Sequence, residues 1–174
     1  MGEKRSAIQN ISMPLIALRG LVLFPKMVLH FDIGRERSIQ ALNDAVENNS
    51  RRVFLTAQKD ISDDNPSPSG LYHVGVVAEV KQVIRIPNMG LRVMVEGLYR
   101  AKCLSFTQED PHFIVETRAF PVRRLAQSSL EFARALVRTV KNLFEEYANL
   151  SPKMPKELML GVMTTEDPVL LESL

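Results

Sequence analysis

The 174-residue sequence contains one cysteine, Cys103, so it cannot form an internal disulfide, and this scarcity is typical of a reducing compartment. No apolar run approaches the roughly 20 residues that span a bilayer. Residues 1–10 are polar and mixed in charge, unlike a secretory signal. The net charge of +2 is too small to indicate a polyanion-binding protein by itself. We therefore expect a cytoplasmic globular chain with no membrane partner.

Sequence motifs of the common enzyme classes are also missing. The chain has no G-x-S-x-G, no H-E-x-x-H and no G-x-x-x-x-G-K-[ST]. His30, His73 and His112 are scattered singly, without further ligands at metal-binding spacing. Cys103 lies in an apolar-rich stretch and is interpreted as a small buried side chain. The sequence therefore predicts no catalytic residue and no metal site in this chain.

The residue pattern from Met13 onward is mainly that of β-strands. Apolar runs at Met13–Leu18 and Leu21–Ile33 predict the first strands, and a break is expected near Pro25. Arg35–Asn48 is the exception, because its apolar residues recur at helical spacing. Arg52–Gln58 returns to a strand pattern.

The clearest strand signal lies between residues 71 and 104. Val74–Val80 alternates with period two, and Pro87–Gly90 has the composition of a turn. The return strand is Leu91–Glu96, after which Gly97 predicts a bulge or bend. Short strands with a single helix predict a mostly antiparallel, barrel-like β lobe.

From Ser128 the pattern becomes helical. Ser128 and Glu131 form a capping box, and Ser151 with Pro152 ends the helix. Shorter helices are predicted at 155–163 and from Pro168. One apolar stripe is expected on the first helix: Leu130, Ala133, Val137, Val140, Phe144 and Tyr147.

The fold predicted from these patterns is α+β, with three parts. Residues 1–12 are a flexible start, 13–121 a β lobe and 122–174 a helical lobe. The apolar segment Val169–Leu171 has no C-terminal cap after it. We therefore expect the natural protein to continue beyond Leu174.

Several apolar side chains are predicted to face outward. On the return strand, Met94 lies between charged neighbours, on the face opposite the core set by alternation. Met89 lies at a turn tip and Met27 follows a bend. Methionine suits a surface that accepts varied apolar partners, although filling gaps in the core is the simpler role. With Leu18 and His30, these residues form the predicted substrate-contact set.

Three basic residues suggest nucleic-acid binding as an alternative to binding of protein substrates. Arg118, Arg123 and Arg124 are candidate nucleic-acid contacts, and Phe120 and Phe132 are the only aromatic side chains near them for stacking. A solvated helix face and strand end is the simpler interpretation. DNA binding is therefore left open but not indicated.

Four blocks of the sequence resemble the Lon family of ATP-dependent proteases. They are P-L-I-A-L-R-G-L-V-L-F-P-K-M-V-L-H-F-D-I-G-R-E-R-S-I-Q-A-L (Pro14–Leu42), V-F-L-T-A-Q-K-D (Val53–Asp60), L-Y-H-V-G-V-V-A-E-V-K-Q (Leu71–Gln82) and R-I-P-N-M-G-L-R-V-M-V-E-G-L-Y-R-A (Arg85–Ala101). Most of residues 13–105 are covered, in order and at family spacing.

This resemblance implies an amino-terminal Lon domain, with a β lobe of PUA-like shape followed by helices. Such a domain binds unfolded, damaged or tagged proteins and supports assembly, which reaches a hexamer in the full-length family. The fragment itself is expected to be monomeric or weakly dimeric. The ATPase, with its ATP and Mg²⁺, and the Ser-Lys serine endopeptidase belong to modules absent here, so no cofactor is expected in this chain.

Other functional classes also stay open. The chain is alternatively a stand-alone Lon-type binding module or a nucleic-acid-binding module with a PUA-like fold. An assembly module is a third alternative, in which the helical stripe packs on another subunit.

Overall fold

The computed structural model describes residues 10–87, 90–120, 130–150 and 162–164. The chain divides into two compact units, Met1–Pro121 (unit 1) and Val122–Leu174 (unit 2). The elements of unit 1 are β1 (Asn10–Leu18), β2 (Val28–Ile33), α1 (Glu36–Asn48), β3 (Arg52–Ala57), a 3-10 turn (Pro68–Gly70), β4 (Val74–Ile86), β5 (Gly90–Gln108) and β6 (Ile114–Ala119). In unit 2, α2 spans Leu130–Leu150 and residues 162–164 are helical.

The six strands form one sheet in the order β2-β5-β4-β3-β1-β6. β6 also pairs with β5, so one end of the sheet closes on itself. Only β1 and β3 run parallel among the pairings of the described strands. The predicted α+β fold with a mostly antiparallel, barrel-like sheet is therefore confirmed.

Two clusters of buried side chains lie on opposite faces of the central strands. In β3, Val53 and Leu55 point into one cluster and Phe54 into the other. The main core consists of Ile16, Leu18, Leu23, Phe31, Ile33, Ala41, Leu42, Ala45, Val53, Leu55, Val76, Ala78, Val80, Val93 and Val95. The second core consists of Met13, Leu15, Phe54, Leu71, Val77, Ala101, Cys103, Phe113 and Val115.

Helix α1 covers the main core with the apolar side that the sequence predicts. Ala41, Leu42 and Ala45 are buried there, at helical spacing. The helix ends at Asn48, and Ser50 and Arg51 then adopt positive φ values of 50° and 63°. Arg51 in turn ties this turn to β4, because its Nε donates to the Val80 carbonyl at 2.7 Å.

Two boundaries differ from the sequence-based expectation. β1 begins at Asn10 rather than Met13, because residues 10–14 pair with β6. Leu21–Phe24, predicted to be strand, is irregular. None of the described strands pairs with this four-residue apolar run, and its backbone forms a loop instead.

Helix α2 has two apolar sides rather than the single predicted stripe. Ala133 and Ala148 are buried, and Val137 and Phe144 are half-buried. The second row is exposed by 45–84% and consists of Phe132, Leu136, Val140, Leu143, Tyr147 and Leu150. The predicted cap at Ser128 and most of the two shorter helices lie outside the described residues. Among the described residues, no helix is both long enough and apolar enough to cross a bilayer.

Candidate functional site

The outward side of β2, β5 and β4 carries side chains that the cores do not use. His30 lies directly opposite Met94, with Gln82 on the other side of Met94. His30 is exposed and Met94 is half-buried. Val28 and Ile84, on the same side, are 53% and 47% exposed. We call Val28, His30, Ile84 and Met94 the outer face.

The loop between β1 and β2 adds three exposed apolar side chains. Leu21, Val22 and Phe24 are 39%, 58% and 43% exposed, whereas Leu23 is buried in the main core and anchors the loop. We call Leu21, Val22 and Phe24 the apolar loop. Adjacent exposed apolar side chains of this kind are typical of interaction surfaces.

Contacts with β5 place the apolar loop beside the outer face. The Lys26 N–H donates to the Gly97 carbonyl at 2.7 Å, and the Gly97 N–H donates to the Met27 carbonyl at 2.9 Å. Lys26 adopts a φ of 66° to make this turn. The next residue pair along the two strands is Val28 and Glu96, so the loop and the outer face adjoin.

Ion pairs flank the outer face. Arg92 binds Asp32 through two hydrogen bonds of 2.7 and 2.9 Å. This guanidinium holds the pKa of the Asp32 carboxyl below its usual value. Lys81 lies 2.9 Å from both Glu96 and Glu79, and their hydrogen bonds raise the pKa of its ammonium group. The apolar side chains therefore have a polar surround, as is common at protein interfaces.

The structure places the predicted contact residues in different environments. His30 and Met94 lie together on the outer face, which agrees with the alternation read for residues 91–96. Met27 is half-buried and packs against the main core. Met89 lies outside the described residues.

The prediction for Leu18 is corrected. Leu18 is only 3% exposed and belongs to the main core. It ends β1 at a point where its carbonyl accepts the Gln58 N–H at 2.9 Å, so the strand still pairs with its neighbour there. Its side chain therefore belongs to the main core and not to the outer face.

Sequence reasoning missed the apolar loop and Val28. Leu-Val-Leu-Phe (residues 21–24) between Gly20 and Pro25 was the available signal. A short consecutive apolar run between two turn-forming residues need not be a strand, since it can also be an exposed loop.

Of the three arginines predicted as nucleic-acid contacts, only Arg118 lies among the described residues. Arg118 is exposed on β6, opposite Lys102, and its Nε donates to the Asn10 side-chain oxygen at 3.0 Å. The Arg100 guanidinium lies 5.6 Å from the centre of the Phe120 ring. Arg123 and Arg124 lie outside the described residues.

The described side chains give little support for a catalytic site. Cys103 is 3% exposed, and burial raises the pKa of its thiol, which suits a packing role. His112 is buried, and its Nε2 lies 3.2 Å from the Asp44 carboxylate on α1. No group of three His, Cys, Asp or Glu side chains in the described part of the chain is placed to hold a metal ion.

Two solved structures that share this architecture are Lon N-terminal domains. The N-terminal domain of Mycobacterium avium complex Lon protease matches with a TM-score of 0.73 and 21% identity, over 94% of this chain and 80% of that one. A Lon N-terminal domain protein from Xanthomonas campestris matches with a TM-score of 0.51 and 15% identity, over 93% and 96% of the two chains. The fold is therefore that of a Lon amino-terminal domain.

Sequence comparison gives the family. Residues 12–172 match the model of the ATP-dependent protease La (LON) substrate-binding domain, and the chain belongs to this family. It is 40% identical over 157 residues to Lon protease of Desulforamulus reducens, covering 90% of this chain and 19% of that protein. With Lon protease of Heliobacterium modesticaldum it shares 38% identity over 169 residues, 97% of this chain and 20% of that protein. The chain thus spans about a fifth of the length of these relatives.

Proposed function

We propose that unit 1 binds unfolded or damaged proteins and passes them to the ATPase and protease modules of a Lon protease. The observation that carries this proposal is the adjacency of the apolar loop and the outer face, seven residues from β2, β4, β5 and the loop before β2, of which six are exposed and Met94 is half-buried. Unfolded proteins expose apolar side chains that folded proteins bury, so a surface of this chemistry distinguishes them. ATP and Mg²⁺ would act in the other modules.

Binding at this surface is expected to be weak and of low specificity. Burial of apolar area contributes about 25 cal/mol per Å², from which the cost of ordering a flexible client is subtracted. Weak binding fits a domain that has to release its client for degradation. We place this activity in cytoplasmic protein quality control, in line with a single free cysteine, as is usual in a reducing compartment.

Truncating Met94 tests the outer face. Met94→Ala should raise the Kd for an unfolded protein about fivefold, because about 1 kcal/mol of contact energy is lost. Since Met94 is half-buried on the outward side, the melting temperature should change little. Fluorescence anisotropy with labelled unfolded casein measures the first quantity, and thermal unfolding followed by circular dichroism measures the second.

Val74→Ala is the matched control for Met94→Ala. Val74 is 44% exposed near the start of β4, opposite Lys102 and away from the outer face. Its truncation should leave casein binding unchanged. A large loss of stability in Met94→Ala, with normal binding by the folded fraction, would show that Met94 belongs to the core instead.

Nucleic-acid binding, the alternative function, would show a different dependence on salt concentration. If Arg118 and its neighbours bind DNA or RNA, oligonucleotide affinity should fall steeply between low and moderate salt. Casein binding through apolar surface should depend far less on salt. Titrating both ligands at two salt concentrations separates the two functions.

We further propose that α2 mediates contact between two copies of this chain. Its exposed row of six apolar side chains has successive spacings of 4, 4, 3, 4 and 3 residues. This spacing is typical of the seam along which two helices pack. A single seam of this length gives weak association, in keeping with a monomer or weak dimer for the isolated chain.

Charged substitutions in this row should abolish self-association. The double variant Leu136→Asp, Leu143→Asp should stay at the monomer mass of 19.6 kDa, whereas the unchanged chain gains mass as concentration rises. Sedimentation equilibrium or light scattering over a concentration range measures this. The control Asn142→Asp, Asn149→Asp adds the same charge at exposed polar positions and should behave like the unchanged chain. A monomer at every concentration in all three proteins would refute the proposal.

A further inference from the structure

One edge of strand β2 pairs with none of the described strands. In the sheet order it stands at one end and pairs with β5 alone, and no pairing joins it to β1 among the described strands. Its sequence, Val-Leu-His-Phe-Asp-Ile, contains neither lysine nor proline, the residues that usually protect a free edge. Its one charged side chain, Asp32, is occupied by Arg92.

The hydrogen-bond phase of β2 can be derived from one contact. The Gly97 N–H donates to the Met27 carbonyl at 2.9 Å, just before the strand begins. Because antiparallel bonding alternates along a strand, Leu29, Phe31 and Ile33 point their backbone groups toward β5. The N–H and C=O groups of Val28, His30 and Asp32 then point away from the sheet.

A cavity lies beside this free edge. Its volume is about 370 Å³, and its lining includes Phe31, Asp32 and Ile33 of β2 and Ile16, Ala17 and Leu18 of β1. This size lies within the usual range of ligand pockets. The edge therefore adjoins this cavity on the inner side and the outer face on the other. The cavity wall is apolar next to Phe31 and Ile33, and Arg19, Arg35 and Asp64 make the rest of it charged.

We propose that the free edge of β2 binds an extended segment of an unfolded protein as an additional strand. This inference rests on the proposed client binding and specifies its mode. Side chains of an added strand alternate between its two sides. Every second client residue would face the cavity near Phe31 and Ile33, and the others would lie beside Val28 and His30. The preferred client is thus a proline-free segment with apolar residues at alternate positions, recognised mainly through its main chain.

N-methylated peptides test this mode of binding. The probe is a fluorescein-labelled octapeptide, Thr-Val-Thr-Leu-Thr-Val-Thr-Leu, with two isomers methylated at the odd or the even amides. Only alternate amides of an added strand face β2, so one isomer should lose about 100-fold in affinity and the other should bind like the parent. Equal binding by all three peptides, or equal loss in both isomers, would overturn the proposal.

A proline at the free edge tests the same idea from the protein side. His30→Pro removes an N–H that points away from β5, so the ladder between β2 and β5 keeps its bonds. Octapeptide binding by His30→Pro should be at least about tenfold weaker than binding by His30→Thr, which loses the same imidazole but keeps the N–H. Circular dichroism reports whether His30→Pro folds, and the peptide experiment stands without it.

Casein binding separates this inference from the proposed function. If casein binds but the octapeptide does not, β-strand addition is wrong while client binding stands. If neither binds, the proposed function itself fails. If octapeptide affinity falls as protein concentration rises, a second copy of the chain occupies the edge and the proposal is overturned.

Discussion

Replacing both Val22 and Phe24 with serine is expected to raise the Kd for unfolded casein about 70-fold. The two side chains are 58% and 43% exposed at the centre of the apolar loop. Their combined contribution, at about half of full burial for each, is about 2.5 kcal/mol. Because neither is buried in the folded chain, the free energy of unfolding should change by less than about 1 kcal/mol. Anisotropy titrations and urea denaturation measure the two quantities.

The control for this double variant is Tyr72→Ser, Val74→Ser. These side chains are exposed to a similar extent, 53% and 44%, but lie near the start of β4, away from the loop. Casein binding should be unaffected. An equal loss of affinity in both double variants would mean that capture depends on total exposed apolar area and on no particular surface, which would contradict the proposed site.

Gly97→Ala should destabilise the chain by about 3 kcal/mol. A Cβ at this position would lie 2.3 Å from the Phe24 carbonyl oxygen and 3.3 Å from the Pro25 Cα. Both neighbours are backbone atoms, so the whole loop has to move, and overpacking of this kind is costly. The loop would also lose its two hydrogen bonds to Gly97, so casein affinity should fall with stability. Urea denaturation measures the change in unfolding free energy.

Gly34→Ala provides the comparison for Gly97→Ala. A Cβ on Gly34 would meet no atom within 4 Å, and its φ is not positive. This variant should be as stable as the unchanged chain, or more stable by about 0.5 kcal/mol through a less flexible unfolded state. If Gly97→Ala proves equally harmless, the close approach of the loop to β5 is not required for folding.

Regular alternation made part of the site predictable from the sequence. In residues 91–96 Arg92 and Glu96 occupy one side of the strand and Val93 and Val95 the other, so period-two geometry places Met94 on the side of the charged residues. Helix α1 was predicted to within one residue at its start, because its apolar residues recur at helical spacing. Both signals are local, and no distant part of the chain contradicts them.

The features that the sequence did not predict depend on contacts between residues far apart in the chain. Leu18 follows an apolar run and precedes Arg19-Gly20, and nothing local says that the main core closes over it. The exposure of Phe24 depends on how the loop packs against Gly97, more than seventy positions later. The sequence shows which residues are apolar, whereas only the folded sheet determines which of them remain exposed to solvent.

The length of β5 has a mechanical consequence. Its first half pairs with β2 beside the main core, and its second half pairs with β6 beside the second core. Traction on a segment held at β2 would pass along this single strand into both halves of the sheet. A tethered client would thus pull on both halves of the sheet together and not on β2 alone.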